Sequence, residues 1–270
     1  STLLNFKYLS SEWTKNCEEE RLLGVSLTGI MDNELLNGST NGKLAGTLED
    51  LKAHSVDVNK TWAKKLHINQ SAAITCVKPS GTVSQLVDAA SGIHARHNPY
   101  YVRTVRADIK DPLCVFMKEK GFPCEPDVMK PEHTMVFSFP QKSPDKAICR
   151  TDLTAIEQLE LWLTYQRHWC EHKPSITVSV KEDEWMEVGA WVYDHFNEMS
   201  GVSFLPFSDH TYRQAPYQDC TKEEYNELLK TLPENIDWSG LGEYEKEDQT
   251  AGTQTFACTG NSCEIVDLTN

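Results

Sequence analysis

Ala73-Ile74-Thr75-Cys76-Val77-Lys78-Pro79-Ser80-Gly81-Thr82-Val83-Ser84-Gln85-Leu86 is the stretch around which the chain is organised. A short apolar, β-prone run ends in a Pro-Ser-Gly-Thr turn. A helical pattern follows, with Val83, Leu86, Val87 and Ala90 as its apolar positions. Free N–H groups of a first helical turn point outward and favour an anion. Pro79 sets φ before the turn, Gly81 admits a close backbone approach, and the Ser80 and Thr82 hydroxyls can add hydrogen bonds. Two readings stand side by side. The turn cradles a phosphate-like group, or it is a capped helix after a core strand with Ser80 or Thr82 as the cap. No Walker-type Gly-x4-Gly-Lys is present.

The rest of the chain alternates helix and strand signals. Helix is expected over 11–36, interrupted at Gly24 and Gly29, and again over 47–66, where Thr47-x-x-Asp50 resembles a capping box. The helix after the turn is expected to run to about Ala90. Strand 100–106, helix 111–120 and strand 134–139, stopped by Pro140, come next. The strongest helix spans 154–170, with Ile156, Leu159, Trp162 and Leu163 on one stripe. Strand 175–180, helix 184–199, strand 202–207 and the capped helix 221–232 complete the pattern. Such alternation argues an α/β fold with a largely parallel sheet.

The 270 residues carry 39% apolar side chains and seven Trp, enough for a sizeable core. A net charge of −14 argues against a nucleic-acid surface, which needs a basic stripe. Nine scattered Cys suit a reducing compartment, and no apolar run approaches membrane-spanning length. The expectation is a soluble, cytoplasmic protein with no membrane partner. The opening at Ser1 reads as mid-protein, so a piece of something larger is expected.

The last residues are polar and rich in Gly and Thr, and Glu243–Gln249 are mostly charged. A mobile tail is expected there. It holds Cys258-Thr259-Gly260-Asn261-Ser262-Cys263, which suits a dithiol that closes into a disulfide. Half a zinc site and two unremarkable tail cysteines are the alternatives. His94 and His97 make only an isolated His-x-x-His, so no metal site is expected. His94 and Arg103 are candidate contacts for substrate or cofactor, although Arg103 and Arg106 point to opposite faces of a strand.

An ordered set of segments resembles the adenosylcobalamin-dependent (class II) ribonucleotide reductases. The set comprises Arg21–Ile30, Lys78–Ser84, Ser91-Gly92-Ile93-His94, Tyr100–Arg103, Gln166–Cys170, Pro174–Val178, Gly201–Pro206 and the terminal Ala257-Cys258 to Cys263-Glu264. The resemblance implies the C-terminal part of a ten-stranded α/β barrel over 1–215, a small helical segment and acidic linker over 216–250, and a redox tail over 251–270. It implies adenosylcobalamin as cofactor and a thiyl radical that acts on a ribonucleotide. Pro79, Ser80, Gly81, Thr82, Val83 and Ser84 would bind the substrate phosphates. Cys258 and Cys263 would be the shuttle dithiol, itself reduced by a thioredoxin-like partner. The family's Asn-x-Cys-x-Glu segment does not occur: Asn16-Cys17-Glu18 and Asn261-Ser262-Cys263-Glu264 both fail on spacing. An N-terminal portion of the reductase is therefore expected as partner, and the chain alone is expected to be inactive. A nucleotide-binding module without chemistry is the alternative.

Overall fold

The structure is a computed structural model that describes residues 6–40, 42–80, 83–207 and 212–245. In chain order its main elements are α1 (Ser11–Glu20), β1 (Val25–Ser26), α2 (Leu44–Leu66), β2 (Thr75–Cys76), α3 (Val83–Leu86), β3 (Tyr100–Asp108), α4 (Pro112–Glu119) and β4 (Cys124–Pro126). There follow β5 (Thr134–Lys142), α5 (Ala155–His168), β6 (Ile176–Val180), α6 (Trp185–His195), β7 (Val202–Pro206), β8 (Tyr217–Asp219) and α7 (Lys222–Thr231). The chain forms two compact units, one from Ser1–Arg96 with Lys146–Phe207, the other from His97–Asp145 with Ser208–Asn270.

The first unit is built on parallel strands. β1 pairs with β2, and β6 pairs with β7. Ser175 N–H donates to Val77 O, and the Glu171 and His172 N–H groups donate to Thr75 O. The segment that leads into β6 therefore runs alongside β2 in the same direction. In β6 the alternation is regular, with Ile176, Val178 and Val180 buried and Thr177 and Ser179 only half-buried. The core gathers Ile30, Leu48, Val77, Leu159, Trp162 and Val178. α5 starts at a capping box: Thr154 Oγ1 accepts from Glu157 N–H at 3.2 Å, and Glu157 Oε2 accepts from Thr154 N–H at 2.8 Å. A cap of this kind contributes about 1 kcal/mol. Buried Leu159, Trp162 and Leu163 then face the core, as their spacing predicted.

The second unit is an antiparallel sheet in the order β4-β5-β3-β8. β3 and β5 match over nine pairs, from Tyr100 opposite Lys142 to Asp108 opposite Thr134. Cys114 on α4 packs with Met135 and Phe137 beneath it.

The architecture is mixed α/β, but the largest sheet is antiparallel, which corrects the expectation of a largely parallel one. Helix–strand alternation is read along the chain, whereas this sheet is assembled from two separated segments. Expected helix 11–36 ends at Glu20, where Arg21 enters the left-handed region at φ 46°, and gives way to β1 and a 3-10 turn at Ile30–Asp32. α2 begins at Leu44, so Thr47 lies inside the helix and makes no capping box. Pro140 does not stop its strand. It lies beyond the stretch that β4 covers, so its missing N–H costs no ladder bond on that side.

Candidate functional site

The turn after β2 begins from a firmly held strand. Ile74 and Thr75 N–H donate to Glu171 Oε2 at 2.8 and 3.3 Å, and Trp169 Nε1–H donates to Cys76 O at 2.7 Å. The chain then leaves the sheet through Lys78, whose N–H donates to Ser26 Oγ at 3.0 Å. Ser80 is clamped twice by Ser91. Ser80 N–H donates to Ser91 Oγ at 2.8 Å, and the Ser91 hydroxyl donates to Ser80 O at 2.9 Å. Ser80 Oγ in turn accepts from Ser84 N–H at 3.2 Å. Ser80 thus bonds an N–H of the first turn of α3 from two residues before the N-cap position. The structure of Gly81 and Thr82 lies outside the described residues.

α3 is a single turn that ends at Leu86, not at Ala90. The Asp88 backbone is left-handed at φ 48° and turns the chain back, with Ala89 N–H donating to Ser84 O at 2.9 Å. A one-turn helix has little macrodipole, so anion affinity here must come from individual N–H and hydroxyl groups. One such group stands out. The Ser84 hydroxyl is buried with no hydrogen-bond partner, in a residue only 1% exposed. Its neighbours Val83, Leu86 and Val87 are, by contrast, largely exposed.

Beneath the turn lies a buried network that the motif pattern did not reveal. Gly92 has φ +56°, and a Cβ there would come within 3.1 Å of Lys78 O and 3.5 Å of Pro79 Cα, so the two strands of the loop approach at a distance only glycine permits. Gly92 N–H donates to Thr28 Oγ1, whose own hydroxyl donates to Ala90 O, both at 3.0 Å. Asp32 Oδ2 accepts from Ala90 N–H at 2.8 Å. Arg96, whose side chain is 4% exposed, closes the network. Its Nε and Nη2 donate to the two Asp32 oxygens at 2.9 Å, and Nη1 donates to Asp88 Oδ1 at 3.0 Å. The signals available in sequence were Thr28-Gly29 before Asp32 and the lone Arg96 after the histidine. Nothing in their spacing predicts that they meet.

His94 sits at the edge of this loop with both ring nitrogens engaged. Nδ1 lies 3.1 Å from Ser91 O and so carries the proton, while Nε2 accepts from Thr177 N–H at 3.0 Å. Burial pushes its pKa below the ordinary 6.5, partly offset by the Ser91 carbonyl. This neutral tautomer joins the loop to β6 and leaves neither nitrogen for coordination to a metal. Arg103 belongs to the second unit, on β3. Its guanidinium lies over the Tyr217 ring at 4.3 Å and donates to Pro216 O at 3.4 Å. Arg106 on the same strand is bound to Asp127 at 2.7 Å and to Gln214 O at 3.0 Å. His94 and His97 fall in different units, and among the described residues no group of His, Cys, Asp or Glu could hold a metal ion. Seven cysteines are described, and no disulfide joins any two of them. Cys258 and Cys263 lie outside the described residues. Among the described residues no helix is long and apolar enough to cross a membrane.

No protein-family model matches the chain. Curated relatives do. The adenosylcobalamin-dependent ribonucleoside-triphosphate reductase of Euglena gracilis is 32% identical over 267 residues, which cover 94% of this chain and 35% of the relative. The probable enzyme of the same description from Dictyostelium discoideum is 29% identical over 95% of this chain and 34% of its own length. That of Lactobacillus gasseri is 27% identical over 87% of this chain and 35% of its own. Among solved structures, a B-12 dependent (class II) ribonucleotide reductase superposes with a TM-score of 0.73 over 85% of this chain and 35% of that one, at 23% identity, which speaks for the fold. Along nearly the whole of its own length, the chain is thus a relative of the adenosylcobalamin-dependent ribonucleoside-triphosphate reductases, spanning about a third of theirs.

Proposed function

We propose that this chain is the C-terminal portion of an adenosylcobalamin-dependent ribonucleoside-triphosphate reductase. In the complete enzyme it carries the substrate-phosphate turn Pro79–Ser84 and the thiol shuttle Cys258/Cys263. An N-terminal portion completes the ten-stranded barrel and brings the radical-bearing cysteine. The observation that carries the reading is the match to the Euglena gracilis relative, which runs through 94% of this chain without exceeding 35% of that enzyme.

For the turn, the geometry around it supports this reading. Ser91 and Gly92 hold Ser80 and the loop entry in place, so this side of the turn is fixed before a triphosphate arrives. The buried Ser84 hydroxyl has an unmade hydrogen bond, which a phosphate oxygen in the turn would accept. When bound, the cofactor supplies the homolytic chemistry that starts the radical on a cysteine outside this chain. His94 does not fit a role as a nitrogen ligand to its cobalt, because both ring nitrogens are engaged. After a reduction step leaves a disulfide in the active site, the Cys258/Cys263 dithiol gives it two electrons and two protons by thiol–disulfide exchange. The tail becomes the disulfide, and a thioredoxin-type dithiol restores it.

Ser84→Ala tests the phosphate assignment by two effects of opposite sign. Removing an unsatisfied buried hydroxyl leaves the stability of the free chain unchanged or raised. Losing a hydrogen bond to a charged oxygen weakens binding of a ribonucleoside triphosphate to the assembled enzyme about tenfold or more, a charged hydrogen bond being worth ~1.5–3 kcal/mol. Unchanged triphosphate affinity in a stable Ser84→Ala enzyme would remove the hydroxyl from the site. Undiminished thioredoxin-driven turnover after loss of both tail thiols would favour a nucleotide-binding module without chemistry.

A further inference from the structure

α6 is apolar on two faces, and only one of them is used. Val188 and Trp191 are buried against the core, and Trp191 Nε1–H donates to Glu160 Oε1 on α5 at 2.6 Å. The outer face carries Met186, Gly189, Ala190 and Tyr193, the i, i+3, i+4, i+7 spacing of one helical stripe, and all four are exposed. Met186 is 87% and Tyr193 85% exposed, and Phe196, one step beyond the helix, is 71% exposed. A Cβ built on Gly189 meets no atom within 4 Å. Single exposed apolar side chains are ordinary, but a helix on the outside of a domain normally turns polar residues to water along such a stripe.

At the C-terminal end of α6 the stripe runs into an open depression of about 390 Å³. Val192, Phe196 and Met199 form its apolar walls, and Ser175, Ser200 and Ser203 supply hydroxyls. Ser200 Oγ is buried and has no hydrogen-bond partner. The depression lies where β6 and β7 begin, whereas the phosphate turn follows the end of β2. Ser175 N–H nonetheless donates to Val77 O at 3.2 Å, so one wall of the depression adjoins the strand end from which the turn departs.

We propose that this outer face and its depression dock an amphipathic helix with basic flanks, belonging to the part of the reductase that this chain does not contain. The inference rests on the reading above that such a part joins the chain, and it assigns where. About two-thirds of the relatives' length lies outside this chain, so the covering segment has a source. Charge selects its chemistry. Glu182, Asp183, Glu187 and Asp194 are exposed around the stripe, on a chain of net charge −14. A second copy would set carboxylates against carboxylates, whereas Lys and Arg flanks complement them. An Arg or Lys of the incoming helix lays its stem along Val192 and Phe196 and donates to Ser200 Oγ.

The test uses the N-terminal two-thirds of the Euglena gracilis relative, expressed separately, as the probe. It is titrated by calorimetry into this chain and into its Met186→Glu/Tyr193→Glu variant. Both side chains are exposed, so the variant keeps the wild-type circular dichroism and melting curve, which is verified first. The expected result is binding to wild type that weakens with salt, and at least tenfold weaker binding to the variant. Equal binding to both overturns the α6 surface but leaves the joining of the two portions standing. No binding to wild type removes that joining and the inference with it. Self-association of the chain that the double substitution abolishes would identify a second copy as the occupant and refute the proposed one.

Discussion

Arg96→Met should be among the most damaging single substitutions in the first unit, although Arg96 lies outside the Pro79–Ser84 turn. The guanidinium, 4% exposed, neutralises Asp32, whose side chain is 16% exposed, through two hydrogen bonds of 2.9 Å. Breaking a buried pair by removing one partner costs ~3–5 kcal/mol, because the remaining carboxylate is stranded. Asp32 keeps its bond from Ala90 N–H, which places the loss toward the lower end. The second partner, Asp88, is 70% exposed at its side chain and adds well under ~1 kcal/mol. A total of about 3 kcal/mol is a large share of a domain stability of ~5–15 kcal/mol. Native-state hydrogen exchange reads it locally. The amides of Gly29, Ala90 and Gly92, all bonded within this network, should lose protection by about 10²-fold, tenfold for each ~1.4 kcal/mol. The second substitution Asp32→Leu, which removes the stranded charge, should recover part of the loss. A cost below about 1 kcal/mol for Arg96→Met alone would refute the argument that this ion pair holds the loop.

His94 makes the first unit sensitive to mild acid. Its folded-state pKa lies below the unfolded value near 6.5, chiefly through burial, so the unfolded chain binds the extra proton first. The stability that the neutral ring contributes is complete above pH ~6.5 and is lost as pH falls from there toward the lowered folded value. Urea titrations at pH 7.5 and 5.5 should show this slope in wild type and a flatter one in His94→Gln; equal slopes would contradict it. For the tail, Cys258→Ser or Cys263→Ser in the assembled enzyme should abolish multiple turnovers with thioredoxin, while a small dithiol that reaches the active site directly still supports them. Unchanged thioredoxin-driven rates in the double substitution would reduce the tail to a terminus.

Much of this chain was legible in its sequence because the relevant physics is local. The capping box Thr154–Glu157 and the stripe Leu159, Trp162 and Leu163 act within one helix, and α5 formed where they predicted. The alternation of Ile176, Val178 and Val180 acts within one strand, and β6 buries those three residues. The segments that resemble the reductases likewise keep their order along the chain, and order survives without knowledge of contacts. What tertiary structure decided depends on groups far apart in sequence. Arg96 meets Asp32 across 64 residues, and Gly92, at φ +56° within the Ser91–His94 turn, is required as well by the approach of Lys78 and Pro79. The helix after Ser84 stops after one turn because Asp88 turns left-handed and its carboxylate and carbonyl are held by Arg96, although Val87 and Ala90 continue the apolar period. The antiparallel sheet of the second unit joins strands from two segments separated by α5, β6, α6 and β7, so alternation along the chain could not reveal it. Periodicity reports which face of an element seeks burial; only the folded chain determines what is buried against it, because side-chain pairing across long loops leaves no periodic trace.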